Sequence, residues 1–266
     1  MTSTAVRREA AVRSLPVAVL AAVSLAVLAQ VALHTAAGQR IDDRALRTVV
    51  AGRDTELAVL SLLGHVSATA VLTVAIVTVG IALLRGRARL GVAALVVLLG
   101  SNITTQVLKH GILDRTAFDV VAPNSLPSGH TTGVAGAVCA LIIVAPRSWR
   151  QPVALLGAFA VTTTGTSTVV AGWHRPADVL AALAVALLWS AGAGMVLGST
   201  HDVTELPSTG LSALVGAAGG LLLLVGIGVR PSYGWVGFVD AAGVLGVLAL
   251  ATALIVTLAD HVSAQP

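Results

Sequence analysis

Apolar residues in this chain come in long unbroken runs, and that feature narrows the possible folds more than any other. Eight such runs lie at about 15–34, 60–84, 90–108, 130–146, 153–172, 178–198, 210–229 and 237–258. Each is long enough, or nearly so, to cross a hydrocarbon layer of roughly 30 Å at about 1.5 Å per helical residue. Barrel strands would alternate apolar and polar residues in segments of about ten, and these runs do not. Composition points the same way. Of 266 residues 56% are hydrophobic and 11% charged, against about 25% charged in an ordinary soluble domain, and mean hydropathy is +0.93. The expectation is an all-α, polytopic transmembrane helix bundle whose partner is the lipid bilayer.

Arg7, Arg8 and Arg13 precede the first run as they would precede a signal peptide. Its apolar stretch of about 20 residues exceeds the usual signal core of about 7–15, so it is read as a helix. Those arginines, with Arg85, Arg87, Arg89, Arg147 and Arg150, fall on one side of an eight-span arrangement, which makes that side cytoplasmic. The other side is equally basic. There, however, Arg40, Arg44, Arg47 and Arg53 share a loop at about 35–56 with Asp42, Asp43, Asp54 and Glu56. The basic residues are scattered between apolar runs, which fits membrane topology and excludes a nucleic-acid partner. The lone Cys139 rules out an intramolecular disulfide and a multi-thiolate metal site. Trp149, Trp173 and Trp235 stand at span ends, where amphipathic rings settle at headgroup depth.

Ionisable groups at membrane depth are costly and mark function by default. Three clusters fall on the non-cytoplasmic side. Lys109, His110, Asp114 and Arg115 follow the third run; Pro127-Ser128-Gly129-His130 opens the fourth; His174, Arg175 and Asp178 open the sixth. A helix N-terminus offers free N–H groups to an anion, and a glycine lets the anion approach. An ordinary capped helix entry would look the same. Pro176 suits a first helical position, which puts Asp178 in the first turn, close enough to hold His174. A carboxylate on one imidazole nitrogen leaves the other nucleophilic. Asp178 as a plain helix-dipole partner is the competing reading. Lys109 and Arg115 are six positions apart, about 240° around a helix. The helix should therefore break between them, with Gly111 the obvious place.

Together the clusters resemble the type 2 phosphatidic acid phosphatase superfamily, in its membrane lipid phosphate phosphatase branch. Its signature is a lysine followed after a spacer by Arg-Pro, then Pro-Ser-Gly-His, then Ser-Arg, five residues, His, three residues, Asp. Pro127 to His130 match in full, and Ser167-Thr168 precede His174 and Asp178 at the same spacing. Three departures stand out. Five residues, not the usual six, separate Lys109 from Arg115; Thr116 replaces the proline; and Thr168 replaces an arginine that binds phosphate. A hydroxyl in place of a guanidinium forfeits about 1.5–3 kcal/mol.

The resemblance implies a six-helix phosphatase core over residues 1–200, with two extra helices in 201–266. It implies His174 as nucleophile, Asp178 as its orienting acid and His130 as general acid and base, acting through a phosphohistidine. Lys109, Arg115, Ser128, Gly129, Thr168 and Arg175 would surround the phosphate. No cofactor and no metal are expected, since no carboxylate cluster suits Mg²⁺. The substrate would be a phosphorylated lipid in the plasma (inner) membrane, hydrolysed at the outer interface. Transfer of phosphate to an acceptor lipid, or a non-catalytic protein that binds lipid phosphates, are the alternatives; Thr168 favours the last.

Overall fold

The computed structural model describes residues 3–64, 68–118, 123–197 and 209–263. The boundary expected at 200/201 and residues 65–67 of the expected second span lie outside them. Within them the regular secondary structure is helical, apart from one two-residue ladder. The helices are α1 (Ser3–His34), α2 (Ala36–Leu46), α3 (Arg53–Gly64), α4 (Ala68–Leu84), α5 (Ala88–Val107), α6 (Gly129–Val144), α7 (Arg147–Val170), α8 (Pro176–Leu197), α9 (Gly210–Gly226) and α10 (Phe238–Val262). Five helices are long and apolar enough to cross a membrane, and α4, α6 and α9 are shorter apolar helices. Seven of the eight runs map onto single helices. The run at 60–84 instead divides between the end of α3 and α4. The segment at 35–56, read as a loop, holds α2, strand β1 (Val49–Val50) and the start of α3.

Burial follows from what each helix touches. α6, α7 and α8 are buried along much of their length, with Ile142, Ile143, Leu183 and Leu187 fully enclosed. α1, α4 and α10 expose apolar faces through Val23, Val27, Leu72, Ile76, Leu250 and Leu254. In water such faces would be a liability; against lipid tails they are the expected surface. Small residues let the backbones approach. A Cβ at Gly216 would come within 1.9 Å of the Leu155 carbonyl oxygen, and one at Gly220 within 2.9 Å of that of Phe159, so α9 lies directly on α7.

The two ends of the bundle are fastened differently. At one end Arg150 donates to Asp260 at 2.7 Å and Thr209 Oγ1 to the other oxygen of Asp260 at 2.9 Å, joining the starts of α7 and α9 to the end of α10. At the other end β1 pairs antiparallel with strand β2 (Arg230–Pro231), Val49 opposite Pro231. Thr55 on α3 donates to the Ile227 carbonyl at 2.8 Å. The three polar clusters lie at this second end.

Candidate active site

The third cluster is shaped by how α7 stops. Gly172 adopts φ +71°, its N–H bonds the Val169 carbonyl at 2.9 Å, and the Trp173 N–H bonds that of Thr168 at 3.0 Å. This is a Schellman closure, in which glycine takes the left-handed conformation at no steric cost. The His174 N–H shares the Thr168 carbonyl at 3.1 Å, so the end of α7 fixes the histidine backbone. α8 then begins at Pro176, whose missing N–H costs nothing in a first turn.

Asp178 stands at the third position of α8 and reaches back. Its Oδ2 accepts the Arg175 N–H at 2.9 Å, the reciprocal half of a capping box. The same oxygen lies 3.1 Å from His174 Nδ1 and accepts the Ser125 hydroxyl at 2.6 Å. Helix cap and imidazole holder are one group. A carboxylate at Nδ1 calls for the Nδ1–H tautomer, which leaves Nε2 with its lone pair free. Both side chains are buried.

The second cluster is bonded to the third through backbone: the Ser128 N–H donates to the Asp178 carbonyl at 3.0 Å. Residues 126–128 are non-helical but buried in protein, where irregular backbone is tolerated at membrane depth. Ser128 is the N-cap of α6, its hydroxyl accepting from the Thr131 N–H at 3.4 Å and the Thr131 hydroxyl at 3.0 Å. The Gly129 and His130 amides open the helix and have no carbonyl one turn back to bond. The His130 ring lies 5.5 Å from that of Trp173, centroid to centroid. Trp173 thus packs on a motif histidine as well as standing at a span end.

The first cluster is stapled to the second by Asn124. Its Nδ2 donates to the Lys109 carbonyl at 3.2 Å and the Leu113 carbonyl at 2.8 Å, and its Oδ1 accepts the Leu126 N–H at 3.0 Å. α5 relaxes into a π-type turn over Leu108–Ile112 and becomes extended at Leu113. The expected break is there, two residues beyond Gly111. Lys109 and His174 are the titratable neighbours of the His130 ring.

Arg115 and Arg175 have a different neighbour. Asp43 of α2 sits 2.5 Å from Arg175 Nε and 3.9 Å from Arg115 Nη2. Nε and Nη2 of Arg115 are buried without a hydrogen-bond acceptor among the described residues. Burial, and then the neighbouring Arg175 charge, lower the pKa of Arg115 from its ordinary value. Arg175 Nη1 reaches Ser125 Oγ at 3.5 Å. Asp42 accepts the Ala177 N–H at 3.0 Å, while its Oδ2 is buried and unmet. Burial pushes its pKa up to about 7, against the pull of the Ala177 amide and with added repulsion from Asp178.

Thr168 keeps its hydroxyl for the Gly165 carbonyl at 2.7 Å and gives the site only its own carbonyl. Thr116 is occupied differently from a proline. Its N–H donates to the Leu33 carbonyl at 3.0 Å, its hydroxyl lies 3.0 Å from His34 Nδ1, and its carbonyl accepts Gln39 at 2.8 Å. Asn124 and Ser125 escaped the sequence reading of the site, and Asp42 and Asp43 entered it only as members of the charged loop at about 35–56 on the same side as the motifs. The polar Pro123-Asn124-Ser125 run before the Pro-Ser-Gly-His motif was the available signal for the first two. Among the described residues no group of three or more His, Cys, Asp or Glu has a metal-binding arrangement.

Residues 90–194 match the family model described as the PAP2 superfamily. No curated protein matches the chain. Among solved structures, similarity is found to the crystal structure of the first transmembrane PAP2 type phosphatidylglycerolphosphate phosphatase from Bacillus subtilis. The identity is 18%, with 70% of this chain and 98% of that chain covered and a TM-score of 0.53. At that identity the likeness is one of fold. The match to the PAP2 superfamily is thus carried by residues 90–194 of a multi-pass helical membrane protein.

Proposed function

We propose that the chain is a metal-independent phosphatase of membrane lipid phosphates that works through a phosphohistidine. The observation that carries this reading is the buried His174–Asp178 pair, 3.1 Å apart and backbone-bonded to the entry of α6. His174 Nε2 forms a bond to phosphorus as the bond from phosphorus to the lipid oxygen breaks, and His130 gives that oxygen a proton. Water then yields a proton to His130 and attacks phosphorus, and the N–P bond breaks. Positioning and charge stabilisation carry most of such a reaction, and general acid help is worth typically about 10²–10⁴-fold. Lys109, the open Gly129 and His130 amides and the unmet N–H groups of Arg115 are the donors offered to the phosphoryl oxygens. Ser128 adds its hydroxyl hydrogen.

The substrate class is a phosphorylated lipid, such as phosphatidic acid, phosphatidylglycerol phosphate or a polyprenyl phosphate. The site belongs at the non-cytoplasmic face of the plasma membrane, because Arg85, Arg87, Arg89, Arg147 and Arg150 gather at the opposite end. The test is phosphate release by purified protein from a panel of these lipids, beside His174→Ala and with EDTA. Release that survives EDTA and vanishes in His174→Ala is expected. Equal release by both proteins refutes the nucleophile, and loss in EDTA refutes metal independence.

A further inference from the structure

α2 lies outside the segment that matches the family model, which begins at residue 90, yet it is fastened against the site. A Cβ at Gly38 would fall 2.1 Å from the Val31 carbonyl oxygen, so α2 crosses α1 in backbone contact. Gln39 donates to the Leu33 and Thr116 carbonyls at 2.9 and 2.8 Å, and Asp42 accepts from Ala177 at the start of α8. Three neighbours thus hold α2 in one pose, and that pose puts Asp43 against the Arg175 guanidinium at 2.5 Å.

The consequence concerns Asp178. One oxygen of Asp178 already serves His174, Ser125 and the Arg175 N–H. Arg175 Nη1 is 3.5 Å from Ser125 Oγ, one hydrogen-bonded group away from that oxygen. A guanidinium beside a carboxylate makes a charged, forked hydrogen bond that outcompetes a neutral imidazole. Asp42 is already engaged by the Ala177 N–H at the start of α8. The geometry points to Asp43 as a positioning residue that holds the Arg175 guanidinium away from Asp178 and so leaves that carboxylate to His174. Arg175 then serves as part of the wall of the site, with its charge answered by Asp43.

The kinetic arm of the test rests on the phosphatase reading; a chemical arm does not. Wild type, Asp43→Asn, Asp43→Glu, Arg175→Gln and the Asp43→Asn/Arg175→Gln double variant are purified, checked for monodispersity and assayed on dioctanoyl phosphatidic acid in mixed micelles. Asp43→Asn should lower kcat about tenfold or more, the scale of one charged hydrogen bond, with KM within about twofold. Asp43→Glu should retain most of the activity. Arg175→Gln added to Asp43→Asn should restore most of kcat, because the competitor for Asp178 is gone.

An unchanged kcat in Asp43→Asn overturns the inference, as does a double variant no better than Asp43→Asn. So does a lower KM at full kcat, which would make Asp43 a rival of the substrate phosphate. The second arm follows ethoxycarbonylation of His174 by diethylpyrocarbonate at about pH 8, above the ordinary histidine range. The charged and titratable groups around this histidine are Asp178, Arg175, His130, Lys109, Arg115, Asp42 and Asp43. The rate should fall in Asp43→Asn and recover in the double variant; equal rates in wild type and Asp43→Asn overturn the inference. If wild type releases phosphate from no lipid, the phosphatase reading fails, and the ethoxycarbonylation rates alone decide on Asp43.

Discussion

Asp42→Asn isolates a single buried proton. An aspartate in an unfolded chain titrates near 3.8, and in the folded protein Asp42 titrates at about 7 because burial disfavours its charge. Between those values the folded state holds a proton that the unfolded state has released. Raising pH through this window therefore favours unfolding, and the cost is complete above about pH 7. A displacement of about three pH units at about 1.4 kcal/mol each amounts to about 4 kcal/mol. In a chain of this size that corresponds to about 10 °C in Tm. Asparagine keeps the oxygen that accepts the Ala177 N–H and has no charge to lose. Its amide hydrogens would be buried without a partner as Oδ2 is, which adds an offset independent of pH. Apparent Tm of both proteins, measured in one detergent from about pH 4 to about pH 8, should show the variant gaining on wild type by about 10 °C across the range. Parallel curves would refute the burial argument, whatever the offset between them.

Two further outcomes follow from close contacts elsewhere. Gly216→Val should lower Tm sharply, by the equivalent of about 2–3 kcal/mol, because its Cβ would press on the Leu155 carbonyl oxygen; an unchanged Tm would show that α9 does not lie on α7 as described. Thr116→Pro should cost about 0.5–1.5 kcal/mol through the lost N–H bond to the Leu33 carbonyl, which then keeps Gln39 alone, and hydrogen exchange in α2 should accelerate, whereas unaltered exchange there would sever Thr116 from the docking of α2.

How far the sequence could be read depended on the reach of each interaction. Helices announced themselves because apolar runs of this length admit few other structures. His174 and Asp178 were legible because they are four residues apart, with Pro176 marking where the helix starts. The division of the 60–84 run was not, since apolar character continues on both sides of the break. Asp43 and Arg175 meet across 132 positions, and no local pattern encodes such a pairing. Thr168 has a second part that no side-chain pattern displays: its backbone carbonyl accepts the His174 N–H. Lys109 and Arg115, expected to act as a pair, take different company, one beside His130 and the other beside Asp43.

The bond between Arg150 and Asp260 spans 110 positions, and it has a bearing on how the chain is assembled. Arg150 is mostly buried in the folded protein, while the carboxylate that answers it is made 110 residues later. Until then a guanidinium must wait at the membrane surface, held there by the cost of entering hydrocarbon unaccompanied. α10 thus supplies the counterion that lets the start of α7 settle, and the packing of α7 waits on the synthesis and insertion of α10.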